Sequence, residues 1–233
     1  MFPFLPSTVY NWRRVCMYIY VCACVVPALQ AKSPEKSVYP ADYPQAVHDQ
    51  ISNLNIRAFC QDSLGNMWIA TFRGLNRYNG YEFVQYFHDK NDSLSIDDDF
   101  IISLFLDSSH RLWVGTATGV NRYDFMTHTF KKYPATREIA YVHSFYEDHT
   151  HQLWVATSTG PGQIDTLTCR VNMDANEKQS VHLFMEDNTQ KLWMGLNDTL
   201  GLACKNENTW EYLPVSGKRS VTCIYCDPQG IWW

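Results

Sequence analysis

Few groups in this 233-residue chain are spaced for chemistry. His149-Thr150-His151 places two imidazoles in a polar turn after Asp148, where solvated side chains are expected rather than metal ligands. Asp97-Asp98-Asp99 could offer oxygens to calcium, but no glycine or spaced acid follows in a recognisable loop, so a charged, solvated strand entry is predicted. Cys223 and Cys226 stand three apart in a segment that reads as a strand, which points them to opposite faces and spoils chelation and redox pairing alike. His48 lies in Ala46-Val47-His48-Asp49-Gln50-Ile51, yet the Arg-Thr-Pro continuation of a phospho-accepting histidine box is missing. These readings predict no catalytic residue, no metal site and no cofactor site.

The spacing that does recur is structural. A β-branched residue, an aspartate six positions on and a tryptophan six further appear as Ile56–Asp62–Trp68, Ile101–Asp107–Trp113, Val142–Asp148–Trp154, Val181–Asp187–Trp193 and Val221–Asp227–Trp233. A period of about 40 residues means one supersecondary unit stacked repeatedly. In the second copy, Ile101-Ile102-Ser103-Leu104-Phe105-Leu106, Leu112-Trp113-Val114-Gly115-Thr116, Val120-Asn121-Arg122-Tyr123-Asp124 and Thr129-Phe130-Lys131-Lys132-Tyr133 are short apolar or alternating runs between turn clusters. That is the pattern of a four-stranded antiparallel meander. No window sustains the i, i+3, i+4, i+7 pattern of a helix.

A sheet of this size has two apolar faces and needs neighbours on both, which a radial array of blades supplies. The predicted fold is therefore an all-β propeller of four-stranded blades beginning near residues 56, 101, 142, 181 and 221. It is incomplete, at four units and a fragment. Each tryptophan is expected to fill the wedge between blades. Each aspartate is expected to accept amides of the turn that follows it.

Residues 1–31 differ from the rest. Arg13 and Arg14 precede the uncharged run Val15 to Val26, and Ala28 and Ala31 follow, the signature of a secretory signal. An uncleaved anchor is the alternative. Residues 32–55 form a lead-in to the repeats of 56–233. The leader carries two of the 19 Lys and Arg and none of the 24 Asp and Glu, so the remainder is more acidic than the −5 of the whole chain. With no basic patch, nucleic acid is not an expected partner. Five cysteines lie beyond the leader, and this odd number at non-equivalent repeat positions implies no disulfide framework.

The first two copies, Asp62-Ser63-Leu64-Gly65-Asn66-Met67-Trp68-Ile69-Ala70-Thr71 with Gly74-Leu75-Asn76-Arg77-Tyr78, and Leu112-Trp113-Val114-Gly115-Thr116 with Gly119-Val120-Asn121-Arg122-Tyr123, closely resemble the two-component regulator propeller repeat. The stretch Asn91-Asp92-Ser93-Leu94-Ser95 is similar to that family's linker between blades. The third copy lacks the Asn-Arg-Tyr, and the fourth has Leu196 in place of threonine and an insertion before Gly201. The resemblance implies the N-terminal sensor part of a Bacteroides-type hybrid two-component histidine kinase. Such a protein has large periplasmic propellers, one membrane span, and downstream kinase, receiver and DNA-binding domains. It further implies a periplasmic location, a dimer in the parent protein, and recognition of oligosaccharides released from complex polysaccharides.

Two other readings compete. One is a secreted adhesion propeller without signalling. The other is a propeller enzyme such as a sialidase, which would need one residue between the aspartate and the glycine of its box, where Asp62 and Gly65 leave two. It would also need an arginine cluster for a carboxylate, whereas Arg77 and Arg122 are repeat-equivalent and read as scaffold. In any propeller the loops between blades and between second and third strands share one face, here Phe87–Asp98, Pro134–Ala140 and Met173–Gln179 beside Phe72-Arg73 and Ala117-Thr118. Phe72, Arg73, Phe87 and His88 combine aromatic faces with planar hydrogen-bonding groups, the mixture that grips sugars, and are the candidate ligand residues.

Overall fold

Leu112–Thr116 and Leu153–Thr157 are buried along their whole length, whereas Arg170–Met173 alternates between buried and open positions. That gradient orders each sheet from its interior to its rim. The computed structural model describes residues 47–48, 50–197, 201–207, 209–213 and 221–224. The leader, Asp227, Trp233 and Cys226 lie outside them. The first blade consists of β2 (Ile56–Gln61), β3 (Met67–Thr71), β4 (Leu75–Tyr78) and β5 (Phe83–Tyr86). A short strand from the lead-in, β1 (Val47–His48), adds to the outer edge of β5 and places His48 opposite Phe83. The second blade is β6 (Ile101–Leu106), β7 (Leu112–Thr116), β8 (Val120–Asp124) and β9 (Thr129–Tyr133). The third is β10 (Val142–Glu147), β11 (Leu153–Thr157), β12 (Gly160–Asp165) and β13 (Arg170–Met173). The fourth is β14 (Val181–Glu186), β15 (Leu192–Leu196), β16 (Leu202–Asn206) and β17 (Thr209–Leu213). Every pairing within a blade is antiparallel and joins neighbours in sequence. The two irregular copies still form complete blades.

The first strands pack beside one another, β2 on β6, β6 on β10 and β10 on β14, so they form the inner ring. Ser103 Oγ donates to the Val142 carbonyl at 2.8 Å and Ser144 Oγ to the His182 carbonyl at 2.7 Å, tying adjacent blades at that ring. Between blades lie three apolar cores. Trp68 meets Ile101, Leu112 and Tyr123 of the second blade, Trp113 meets Phe145 and Val155 of the third, and Trp154 meets Phe184 and Met194 of the fourth. Burying an indole of about 200 Å² stabilises the pair of blades by about 5 kcal/mol. Trp68, Trp113 and Trp154 take the expected wedge positions, whereas Trp193 is half-buried at the last described blade.

The aspartates do more than shape turns. In all four described copies the carboxylate Oδ2 accepts the indole Nε1–H of its own tryptophan at 2.8 Å. The other oxygen accepts turn amides, as Asp62 does from Leu64 and Asn66. The constant interval between Asp and Trp is thus a bonding distance, not only a repeat phase. The same turns hold Gly65 at φ 88°, and at the equivalent position His110, His151 and Gln190 adopt φ of 59°, 64° and 65°. Three side chains accept a left-handed backbone that costs an L-residue about 1 kcal/mol.

Each first strand also carries a bulge. The register with the second strand shifts between Ile56 and Ala58, Ile101 and Ser103, Val142 and Ser144, and Val181 and Leu183. Arg57, Ile102, His143 and His182 are the extra residues. Finally, Ile56 is 53% exposed where Ile101, Val142 and Val181 are fully buried, so the first blade presents an apolar face that its equivalents cover with a neighbour.

Candidate functional site

Repeated hydroxyl-capped turns build the face that carries the loops between blades. Thr71 Oγ1 donates to the Gly74 carbonyl and accepts the Arg73 amide, closing the turn between β3 and β4. Thr157 does the same in the third blade, and in the second Thr116 Oγ1 accepts the Thr118 and Gly119 amides. These turns are stitched to the following loop: the Gly74 amide donates to the Asp99 carbonyl at 2.7 Å, and the Tyr141 amide to the Ala117 carbonyl at 3.0 Å. The loops and turns named from sequence therefore do share one face. On it Arg137 binds the Asp174, Thr159 and Glu177 carbonyls, clamping three segments together. Between the second and third blades lies a cleft of about 670 Å³ lined by Asp97, Thr118, Lys132, Arg137, Glu138 and Ile139.

The four candidate ligand residues do not form one cluster. Phe87 lies on Gly74, so close that a Cβ there would stand 2.7 Å from its ring. His88 is fixed by its loop, its amide donating to Asp99 Oδ1 at 2.6 Å and its Nδ1 lying 2.8 Å from the Ile96 carbonyl. Arg73 is exposed at the turn tip. Phe72 belongs elsewhere. Its ring stands edge-on to Phe100 at 4.7 Å, and Phe100 in turn faces Tyr141 at 6.3 Å. The Arg57 guanidinium lies 5.5 Å from the centre of the Phe72 ring. Phe72 and Tyr141 are 42% and 49% exposed, so the row offers open aromatic faces with a planar donor beside them. Phe100, Tyr141 and Arg57 escaped the sequence reading. The signal was available: Phe100 and Tyr141 each immediately precede a first strand, and Arg57 is the second residue of one.

Two imidazoles meet between the third and fourth blades. The His143 and His182 rings are 4.6 Å apart. Burial, then His182, then Arg57 disfavour the imidazolium and bring the His143 pKa down to about 4. Its Nε2 is buried without a hydrogen-bond partner.

The acids expected to be solvated at the second strand entry are instead used by the protein, because the entry threads between two blades. Asp97 Oδ1 accepts Thr116 Oγ1 at 2.8 Å and Asn121 Nδ2 at 2.6 Å, and burial holds its carboxyl above the ordinary range against those bonds. Asp98 accepts the Phe100 amide. The two turn histidines are likewise engaged, His149 with Glu186 at 2.5 Å and His151 with Glu147 at 3.1 Å. No group of His, Cys, Asp and Glu among the described residues is arranged to hold a metal ion.

The comparisons with known proteins agree with this architecture. Residues 50–73 and 95–118 match the two-component regulator propeller. No curated protein matches the sequence. The fold is similar to an extracellular domain assigned to a hybrid two-component system of B. thetaiotaomicron, at TM-score 0.65 and 18% identity over 77% of this chain and 26% of that one. A second such domain from the same organism gives 0.53 and 17% over 82% of this chain and 34% of that one. Virginiamycin B lyase from Staphylococcus aureus, with quinupristin, gives 0.59 and 13% over 81% of this chain and 66% of that one. This chain therefore spans about a quarter to a third of the length of the two sensor-type domains, and identities this low carry the fold alone. The repeat match over residues 50–73 and 95–118, with the blades that those residues help to build, makes the chain similar to the two-component regulator propeller over its first two repeats.

Proposed function

We propose that this chain is the exported sensory propeller of a hybrid two-component system and that it detects an oligosaccharide. The observation that carries the reading is the open row Phe72, Phe100 and Tyr141 with Arg57 beside it, on the loop face of a propeller whose repeats match that regulator family. Sugar rings present C–H faces to aromatic rings and hydroxyls to planar donors, and the row offers both. The uncovered face around Ile56 supports further blades packing there in a longer parent protein. In that parent, attached to the membrane and dimeric, a saccharide would act only through its differential affinity for two arrangements of the dimer, with these blades moving as a rigid body. The similarity to a lyase is one of fold, and function must be argued from the site.

Calorimetry of the chain against a panel of neutral and acidic oligosaccharides tests the proposal. At least one should bind, and Phe72→Ala and Tyr141→Ala should each weaken it about tenfold, the equivalent of one stacking contact. A panel without any binder, or a binder indifferent to both substitutions, would remove the basis for the reading.

A further inference from the structure

The bulges of the inner strands form a column of their own. Residues on either side of each bulge turn into the cores and seams between blades: Ile101, Ser103, Val142 and Ser144 are all buried there. The extra residue leaves that alternation, because it stands outside the ladder. Arg57, Ile102, His143 and His182 are therefore presented at the inner ring of first strands.

Their mutual placement supports this geometry. His143 and His182, from adjacent blades, are in ring contact at 4.6 Å. Arg57 belongs to the first blade and His143 to the third, and the charge of Arg57 adds to the effects that disfavour the His143 imidazolium. Burial, His182 and Arg57 all disfavour the charged form of His143. The buried Nε2 of His143 is a polar atom for which the described residues supply no mate. Leaving such a group unsatisfied is costly. Stacking on Phe72, 5.5 Å from the ring centre, holds the Arg57 guanidinium in place.

We propose that Arg57, His143 and His182 form an oxyanion site at the propeller axis, with Ile102 as its apolar wall. Its ligand is a compact anion, a carboxylate or a sulfate, held by the guanidinium fork and two imidazole N–H groups. Such an anion could be a free inorganic ion or the acid group of a sugar. The site does not rest on the signalling reading, since a propeller with no kinase attached would hold the anion equally well.

The test uses the full chain and two probes, sodium sulfate and sodium D-glucuronate, titrated by calorimetry at pH 5.5 and pH 8 at constant ionic strength. At least one probe should bind at one site per chain. Its affinity should be about threefold higher at pH 5.5, because a bound anion favours protonation of His143, which burial, His182 and Arg57 otherwise disfavour. Arg57→Gln and His143→Gln should each weaken binding at least tenfold. Sulfate binding alone identifies an inorganic oxyanion, and tighter glucuronate binding identifies a saccharide acid. Either outcome supports the site. Wild-type histidine NMR provides a readout independent of the variants' folding: the probe should raise the titration midpoint of His143. No heat and no midpoint shift with either probe, or affinity unchanged in both variants, would overturn the proposal. The neutral sugars of the oligosaccharide panel, and the Tyr141→Ala variant, report on the sensor reading separately.

Discussion

Replacing Asp107 by asparagine is a sharper test of the fold than replacing it by alanine. The carboxylate is 3% exposed and accepts on both oxygens: the Arg111 amide at 2.8 Å on Oδ1, and the Trp113 indole at 2.8 Å with Arg111 Nε at 2.6 Å on Oδ2. All three partners are N–H donors. An asparagine has one accepting oxygen, so in either orientation its amide nitrogen faces a donor. Directed one way it opposes a fully buried indole, and directed the other it opposes the turn amide. The Arg111 side chain is partly exposed and recovers water, so its contribution is small. The remaining loss is one charge-assisted bond plus one unsatisfied buried donor, about 3 kcal/mol. In a chain of this length that lowers the melting midpoint by about 6–12 °C.

The measurement is urea unfolding of the full chain, followed by far-UV circular dichroism, for Asp107→Asn, Trp113→Phe and the double variant. Phenylalanine lacks the indole N–H, so the double variant should recover about 1–2 kcal/mol relative to additivity. Asp62→Asn, in a carboxylate that is 5% exposed, should behave similarly, and Asp148→Asn and Asp187→Asn, at less buried sites, should cost less. If Asp107→Asn unfolds within about 0.5 kcal/mol of the wild type, or if the cycle shows no coupling, then the aspartate–indole bond is not what sets the interval between the two residues.

The remaining predictions concern backbone, packing and pH. Gln190→Gly should stabilise the chain by about 1 kcal/mol, since glycine adopts φ 65° without a Cβ penalty; an unchanged or lower urea midpoint counts against left-handed strain there. Gly115→Ala should destabilise by about 2–3 kcal/mol, because the new methyl would meet Ser103 Oγ and stand 2.5 Å from Val142 Cγ1 at the seam between the second and third blades; a neutral result would mean that this seam is loose. His143 has a folded pKa of about 4 against an ordinary 6.5, so the folded chain takes up its proton later than the unfolded one. Stability should be fully present above pH 6.5 and decline as pH falls from there to about 4, by about 1–2 kcal/mol after allowance for solvent screening of a partly exposed ring. His143→Phe should flatten that limb, as read from urea midpoints between pH 4 and pH 7. Asp148 and Asp187 add a loss at lower pH. Burial opposes their ionisation, but bonds from Thr150 and Trp154, and from Thr189 and Trp193, outweigh it and hold both below the carboxylate range, so their stabilisation disappears as pH falls through those lowered values.

The blades were legible in the sequence because their determinants are local and repeated. Trp113 excludes water wherever it lies, and turn, strand and interval recur around it, so the wedge could be inferred from one copy and checked against the others. The axial residues were opaque for a physical reason. Read at period two, His143 is one of the outward positions of a strand, a solvated polar residue between the buried Val142 and Ser144. Only the register shift between Val142 and Ser144 turns it toward the inner ring, and a bulge leaves no mark in a single copy. It does leave one in the set. Superposing the copies on their aspartates puts Arg57, Ile102, His143 and His182 in one column, where three of four residues carry a nitrogen base. In a radial array a column of the repeat becomes a ring around the axis. Chemistry at the axis of a propeller must therefore be sought down the columns of its repeat, since residues that converge there lie a whole blade apart in the chain.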